Sequence, residues 1–294
     1  MSSNAPVGSV TDRYRGAGRK PARDTARRLL WAALSGAGRV PIAGFAAVEA
    51  YRRYFNRAAR EHTRLFRGLF ADFPAARAAI PAHRIESYDN EPSAYRMIDE
   101  WLNIDASDYP VLFWLARVMP GSRLVFDWGG NVGLKYFAFR RVLPFAEELT
   151  WLVNDVPAVV AFGTQVAERE SAPALRFTTS LDELAQADVL LASGALQFID
   201  DPLTLLARAR ALPRHLIINK VPAYGLPPAV TLHNMGTALC PYHLFNGPQF
   251  ITAFERLGFT LVDNWRSPNV GCEIPFHPEH SIAEYSGYYF TRSG

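Results

Sequence analysis

Val125–Gly133, VFDWGGNVG, is the stretch whose reading decides the fold. A short apolar run, RLVFD (Arg123–Asp127), ends in an acid and breaks at once into Gly129, Gly130 and Gly133, where a helical pattern opens near Val132. Glycines at such a point let the chain turn sharply and let a ligand approach the main chain. In open α/β sheets that place, outside the carboxyl end of a strand, is where ligands bind. A dinucleotide loop would show GxGxxG, and a phosphate loop would need GxxxxGK followed by Ser or Thr. Neither is present, since Lys135 is followed by Tyr136.

Outward from this loop the same rhythm continues. LTWLVND (Leu149–Asp155), ALRFT (Ala174–Thr178), DVLLAS (Asp188–Ser193) and HLIINK (His215–Lys220) read as strands separated by segments of helical length. That alternation predicts an α/β fold with a parallel, Rossmann-like sheet and helices on both faces. FTLVDNW (Phe259–Trp265) and SGYYFTR (Ser286–Arg292) have no helix between them and are expected to pair antiparallel. Asp155 closes the second strand, one βα unit after Asp127. One carboxylate suits a cationic amine through a charge-assisted hydrogen bond, and the other suits the two hydroxyls of a ribose. S-adenosylmethionine offers an ammonium group, a free ribose diol and no phosphate, and so matches this pair of acids.

FDWGGNVGLKY, TWLVNDVPAVVAFG, LLASGALQFIDDP, YHLFNGPQF and ERLGFTLVDNW follow one another in this order. Together they resemble class I S-adenosylmethionine-dependent methyltransferases, most closely a family of bacterial methyltransferases often associated with surface-polysaccharide gene clusters. The resemblance runs from Tyr109 to Arg292 and implies a seven-stranded sheet whose last strand is antiparallel. It places Asp127, Gly129, Gly130, Asn131 and Gly133 around the methionine moiety with Tyr136 close behind, and Asp155, with Val156 beside it, on the ribose. Thr179, Ser180 and Leu181 are then expected at the adenine. Ser193, Gly194 and Ala195 are expected on the methyl-transfer face, and S-adenosylhomocysteine is the expected product.

Methyl transfer is an in-line displacement at a sulfonium carbon, so holding acceptor and donor together is the main task. A neutral hydroxyl also gains from a general base, most often His. Many small-molecule O-methyltransferases with the Asp-hydrophobe-Pro signature seen in Asp155, Val156 and Pro157 keep a His soon after the fourth strand, where this chain has Gln197. The remaining histidines lie in TLHNMGTALCPYHLFNG, with His233 the first candidate for the base, His243 the second, and Tyr242 beside them. His277 and His280 with Glu273 or Glu279 lack the spacing of a metal site, so no metal is expected. Transfer to oxygen of a sugar or small polar metabolite is the leading expectation. Transfer to nitrogen of a natural-product or amino-acid-like acceptor is an alternative, and a non-catalytic scaffold that keeps the fold is another. SGALQF is unlike the NPPY signature of many amide or base N-methyltransferases.

At 294 residues with 49% hydrophobic and 20% charged, the chain has enough for one full core and an accessory region. Its 2 cysteines exclude a disulfide framework. The net charge of +3 conceals an asymmetry: residues 1–70 carry 14 Arg or Lys and 4 Asp or Glu, leaving 17 basic and 24 acidic residues beyond. Only Lys20, Lys135 and Lys220 are lysines. Residues 1–28 read as a disordered basic arm, 29–108 as a helical accessory region and 109–294 as the methyltransferase domain. Leu29–Val48 is one bilayer long, but Arg39 and Pro41 break it, so no transmembrane span is expected. Tyr51, Tyr54, Phe55, Ala58, Ala59, His62, Leu65, Phe66 and Leu69 fall near one helical face with arginines opposite. Such a helix suits packing on the main domain, a homodimer contact or an anionic surface such as a membrane. The acidic body argues against nucleic acid as a partner. The apolar stretch starts too late for a signal peptide, so a cytoplasmic location is expected.

Overall fold

The computed structural model describes residues 41–57, 65–90, 93, 102–268 and 270–292. The basic arm of residues 1–28 lies outside the described residues, as does most of the Leu29–Val48 stretch. Eleven strands are described, β1 Leu65–Phe70, β2 Leu124–Trp128, β3 Thr150–Asn154, β4 Leu175–Thr178, β5 Val189–Ser193, β6 His215–Val221, β7 Ala223–Tyr224, β8 Ala229–Asn234, β9 Leu239–Asn246, β10 Thr260–Ser267 and β11 Tyr285–Thr291. The α-helices are α1 Pro41–Arg57, α2 Phe73–Ala78, α3 Tyr109–Val118, α4 Leu134–Phe139, α5 Pro157–Arg169, α6 Pro202–Arg208 and α7 Gly247–Arg256.

Seven strands form the main sheet in the order β4-β3-β2-β5-β6-β11-β10. β2 pairs parallel with β3 and β5, and β11 runs antiparallel to both β6 and β10. This is the mixed Rossmann-like sheet expected from the sequence, with the single reversed strand near its edge. Side chains alternate between its faces, as a pleated strand requires. Trp151 and Val153 of β3 join α3, α4 and α5 on one side, while Leu152 joins α6 and α7 on the other. Because both faces are covered, the central strands read as unbroken apolar runs. The chain turns from β3 on one side of β2 to β5 on the other, and the crevice at this switch point is where a ligand is expected.

The accessory region corrects the sequence reading. Helix α1 buries Tyr51 and Phe55 as its periodicity predicts, but Leu65, Phe66 and Leu69 lie on a strand rather than further along the same helix. β1 pairs antiparallel with β8, which pairs with β9, so the region is only partly helical. The resulting small sheet, β1-β8-β9-β7, is built mainly from the insertion after β6. Tertiary pairing outweighs helical spacing here because an edge of β8 would otherwise be left without hydrogen bonds. Among the described residues no helix is long and apolar enough to cross a membrane. Cys240 and Cys272 are both buried and free, and burial pushes their thiols up to about 12 and about 11.

Candidate functional site

The loop after β2 is shaped by positive φ at Gly129 (73°), Asn131 (54°) and Gly133 (87°). Two of these are glycines because the left-handed region penalises a Cβ. Close packing adds a second reason: a Cβ on Gly129 would lie 2.4 Å from Ala195 Cβ, and one on Gly130 would lie 2.4 Å from Asp127 Oδ2. The loop therefore presents main chain, backed by a carboxylate. Gly129 N–H donates to the Asn154 carbonyl at 2.8 Å, tying the loop to the end of β3.

Asp127 is 1% exposed, and its Oδ2 accepts from the Trp151 indole N–H at 2.9 Å. Burial is the dominant influence and pushes its carboxyl up to about 7, opposed by the indole hydrogen bond and by the charge of Lys135. Asp155 closes the far side of the loop. Its Oδ2 accepts from Asn131 N–H at 2.9 Å and its Oδ1 from Val156 N–H at 2.8 Å. Burial again dominates and pushes it up to about 6 against those two backbone donors. A carboxyl with a raised folded pKa holds its proton where the unfolded chain has lost it, so stability falls as pH rises. Urea stability of the ligand-free protein is expected to fall between about pH 4 and 7, the range bounded by the ordinary 3.8 and the folded value of about 7 for Asp127. Asp127→Asn is expected to flatten that fall, and an unchanged profile in the variant would refute the assignment.

The other residues expected at the site fall into three groups. Ser193 and Gly194 end β5 beside Ala195: Ser193 Oγ accepts from Asn219 Nδ2 at 3.3 Å, and Gly194 N–H donates to the Asn219 carbonyl at 2.8 Å. Thr179 and Ser180 are exposed after β4, with half-buried Leu181 following; Ser180 Oγ accepts from Asp182 N–H at 3.3 Å and caps the short helix Leu181–Gln186. Tyr136 is turned into the core against Phe145 and Trp151, so it reaches the loop only through the indole that holds Asp127.

The two histidines part company. His233 sits on the face of β8 that stacks on Phe66, with ring centroids 4.6 Å apart, and approaches Phe198 and Tyr242 at 5.7 and 5.3 Å. Phe198 follows the β5 loop directly, so this face looks toward the strand ends. The Tyr242 hydroxyl donates to that of Tyr285 at 2.8 Å. His243 lies on the opposite face, against Phe73 and Phe245, with Nε2 2.5 Å from the Asp200 carbonyl. Burial holds its pKa below the usual value despite that carbonyl. A ring nitrogen committed to a carbonyl must carry a proton and cannot accept one, which removes His243 Nε2 as a base. His280 hydrogen-bonds Tyr224 and His277 lies 3.9 Å from Glu279, and among the described residues no three potential metal ligands gather.

Sequence reasoning missed a strap, residues 87–90 and 102–108, that crosses the strand ends. Tyr88 hydroxyl accepts a short hydrogen bond from Asn131 Nδ2, and Asp89 Oδ1 accepts from Ala158 N–H at 2.8 Å in the first turn of α5. Asp108, fully buried, accepts from Lys135 Nζ at 2.7 Å, and Asp105 accepts from Lys220 Nζ at 2.7 Å. Asn219 Nδ2 donates to the Ser107 carbonyl at 3.0 Å, while its Oδ1 accepts from the Trp265 indole at 3.0 Å. The one sequence signal for this network is the rarity of lysine, since both described lysines belong to it.

No protein-family model matches the chain, and no curated protein matches its sequence. Among solved structures it is similar to a 1,6-didemethyltoxoflavin-N1-methyltransferase of Burkholderia thailandensis with bound 1,6-didemethyltoxoflavin and S-adenosylhomocysteine. That match has 21% identity over 69% of this chain and 85% of that one, with a TM-score of 0.47. The CcbJ methyltransferase of Streptomyces caelestis matches at 13% identity over 71% and 99% of the two chains, TM-score 0.46. An S-adenosylmethionine-dependent methyltransferase of Mesorhizobium loti matches at 17% over 64% and 98%, TM-score 0.41.

Proposed function

We propose that this protein is an S-adenosylmethionine-dependent methyltransferase that transfers to an oxygen of a sugar or other small polar metabolite. The observation that carries the proposal is the loop between β2 and α4, a main-chain turn packed so closely on the Asp127 carboxylate that Gly130 has no room for a Cβ, set between buried Asp127 at the end of β2 and half-buried Asp155 just after β3. Such a cradle fits a cationic, phosphate-free nucleoside. When bound, S-adenosylmethionine supplies an electrophilic methyl group on a sulfonium. Asp127 and the main chain of residues 129–133 would hold its methionine end, Asp155 and Val156 its ribose, and residues 179–181 its adenine. Ser193, Gly194 and Ala195 would border the methyl group.

His233 is the proposed base, kept in place by Phe66 and Tyr242, and Gln197 follows the β5 loop next to Phe198, whose ring approaches that of His233. A division at about Tyr109 between accessory and catalytic parts, a cytoplasmic location, and a dimer contact through α1, where Phe45 and Val48 are exposed, belong to the same proposal.

Hydrogen exchange with and without S-adenosylhomocysteine tests the site. Protection is expected over residues 128–134, 154–158 and 193–195, and binding with protection only elsewhere would overturn the placement. Once an acceptor is in hand, His233→Gln is expected to lower turnover by about 10²–10⁴-fold with unchanged S-adenosylhomocysteine affinity. Full turnover in that variant would remove His233 as base.

A further inference from the structure

Arginine outnumbers lysine so heavily in this chain that a lysine is a chemical choice, and Lys220 is the more unusual of the two described. It stands at the carboxyl end of β6 with φ 57°, a left-handed conformation that a residue with a side chain adopts only when its surroundings hold it there. The backbone twist lays the lysine stem along Gly194. A Cβ on Gly194 would lie 3.7 Å from Lys220 Cβ and 3.8 Å from both Lys220 Cδ and Gln197 Nε2. Lys220 and Gln197 thus flank the bend that follows β5. The Lys220 side chain is 17% exposed, and its ammonium meets Asp105, whose side chain is 58% exposed. Gln197 is 4% exposed, and its Oε1 has no hydrogen-bond partner, an expensive state for a buried acceptor unless a ligand supplies the donor.

We propose that Lys220 and Gln197 read the methyl acceptor, and that the acceptor is a hydroxy-carboxylate, such as an acidic sugar. Its carboxylate takes Lys220 Nζ in place of Asp105, and a hydroxyl donates to Gln197 Oε1. A single negative charge fits better than a phosphate dianion. Only one ammonium is released by displacing Asp105, the other lysine nearby is held by buried Asp108, and Asp105 and Asp108 would both repel a second charge. Lysine, a compact ammonium on a flexible stem, suits exchange between two carboxylates better than the planar fork of arginine. The proposal rests on reading the β5 end as the methyl-transfer face, and so on the function proposed above.

The test uses the full chain saturated with S-adenosylhomocysteine and titrated with D-glucuronate, D-galacturonate, D-glucose and inorganic phosphate. At least one uronate is expected to bind and glucose and phosphate to bind at least about tenfold more weakly, a ratio typical of one lost charged hydrogen bond. Lys220→Met keeps the stem and the backbone, and is expected to weaken uronate binding at least about tenfold with unchanged S-adenosylhomocysteine affinity. Asp105→Asn, which removes the competing carboxylate and leaves a capping side chain, is expected to tighten uronate binding. A structural ion pair alone would make both variants act in the same direction, which overturns the proposal. Binding of neither uronate, glucose binding as tightly as uronate, or loss of S-adenosylhomocysteine affinity in Lys220→Met would each overturn it too. Failure of the unmodified protein to bind S-adenosylhomocysteine would instead strike the methyltransferase reading itself.

Discussion

Gly129→Ala protein is expected to lose measurable S-adenosylhomocysteine binding while Gly121→Ala protein binds normally. At Gly129 the new methyl group would meet Ala195 Cβ at 2.4 Å, and φ is 73°. The left-handed conformation costs a Cβ-bearing residue roughly 1–2 kcal/mol, and overpacking a tight site adds about 1–3 kcal/mol. Relief comes only by moving the loop away from the β5 end, which separates the two halves of the proposed site. Gly121 has no atom within 4 Å of a new Cβ, so it controls for substitution as such. Calorimetric titration of both variants checks this. Gly129→Ala affinity within about threefold of the parent would show that the loop contact with Ala195 does not shape the site.

Lys135→Met is expected to be the most destabilising single change among the residues that tie the strap down. Asp108 is fully buried, and its Oδ2 accepts from both Lys135 Nζ at 2.7 Å and Asp105 N–H at 2.9 Å. Taking the lysine away leaves a buried carboxylate without its counter-charge, which costs about 3–5 kcal/mol when one partner of a buried pair is removed. Replacing both partners removes the desolvated charge as well, so Asp108→Asn/Lys135→Met is expected to recover most of the loss. Urea unfolding of the parent, single and double variants measures the difference. Equal midpoints for the single and double variants would mean that the Lys135–Asp108 ion pair does not account for the loss.

The main sheet was legible because its central strands are apolar on both faces, and the glycine loop because close packing against Asp127 and Ala195 leaves it no other residue type. What escaped the sequence depends on long-range pairing. Leu65–Phe70 has helical spacing but becomes a strand because β8 offers it an edge. Tyr88, Asp89, Asp105 and Asp108 are single polar residues without periodicity, and their partners Asn131, Ala158, Lys220 and Lys135 lie 43, 69, 115 and 27 positions away. His233 and His243 are indistinguishable as letters in one insertion. The β8–β9 register separates them, turning one toward Phe198 and the other toward the Asp200 carbonyl.

Isothermal titration of the purified chain with S-adenosylmethionine and S-adenosylhomocysteine tests the central claim most directly. One molecule of either is expected to bind per chain, with the affinity for both sharply reduced by Asp127→Ala. Absence of binding by the unmodified protein, or binding that Asp127→Ala leaves intact, would contradict the assignment of this loop as a cofactor site.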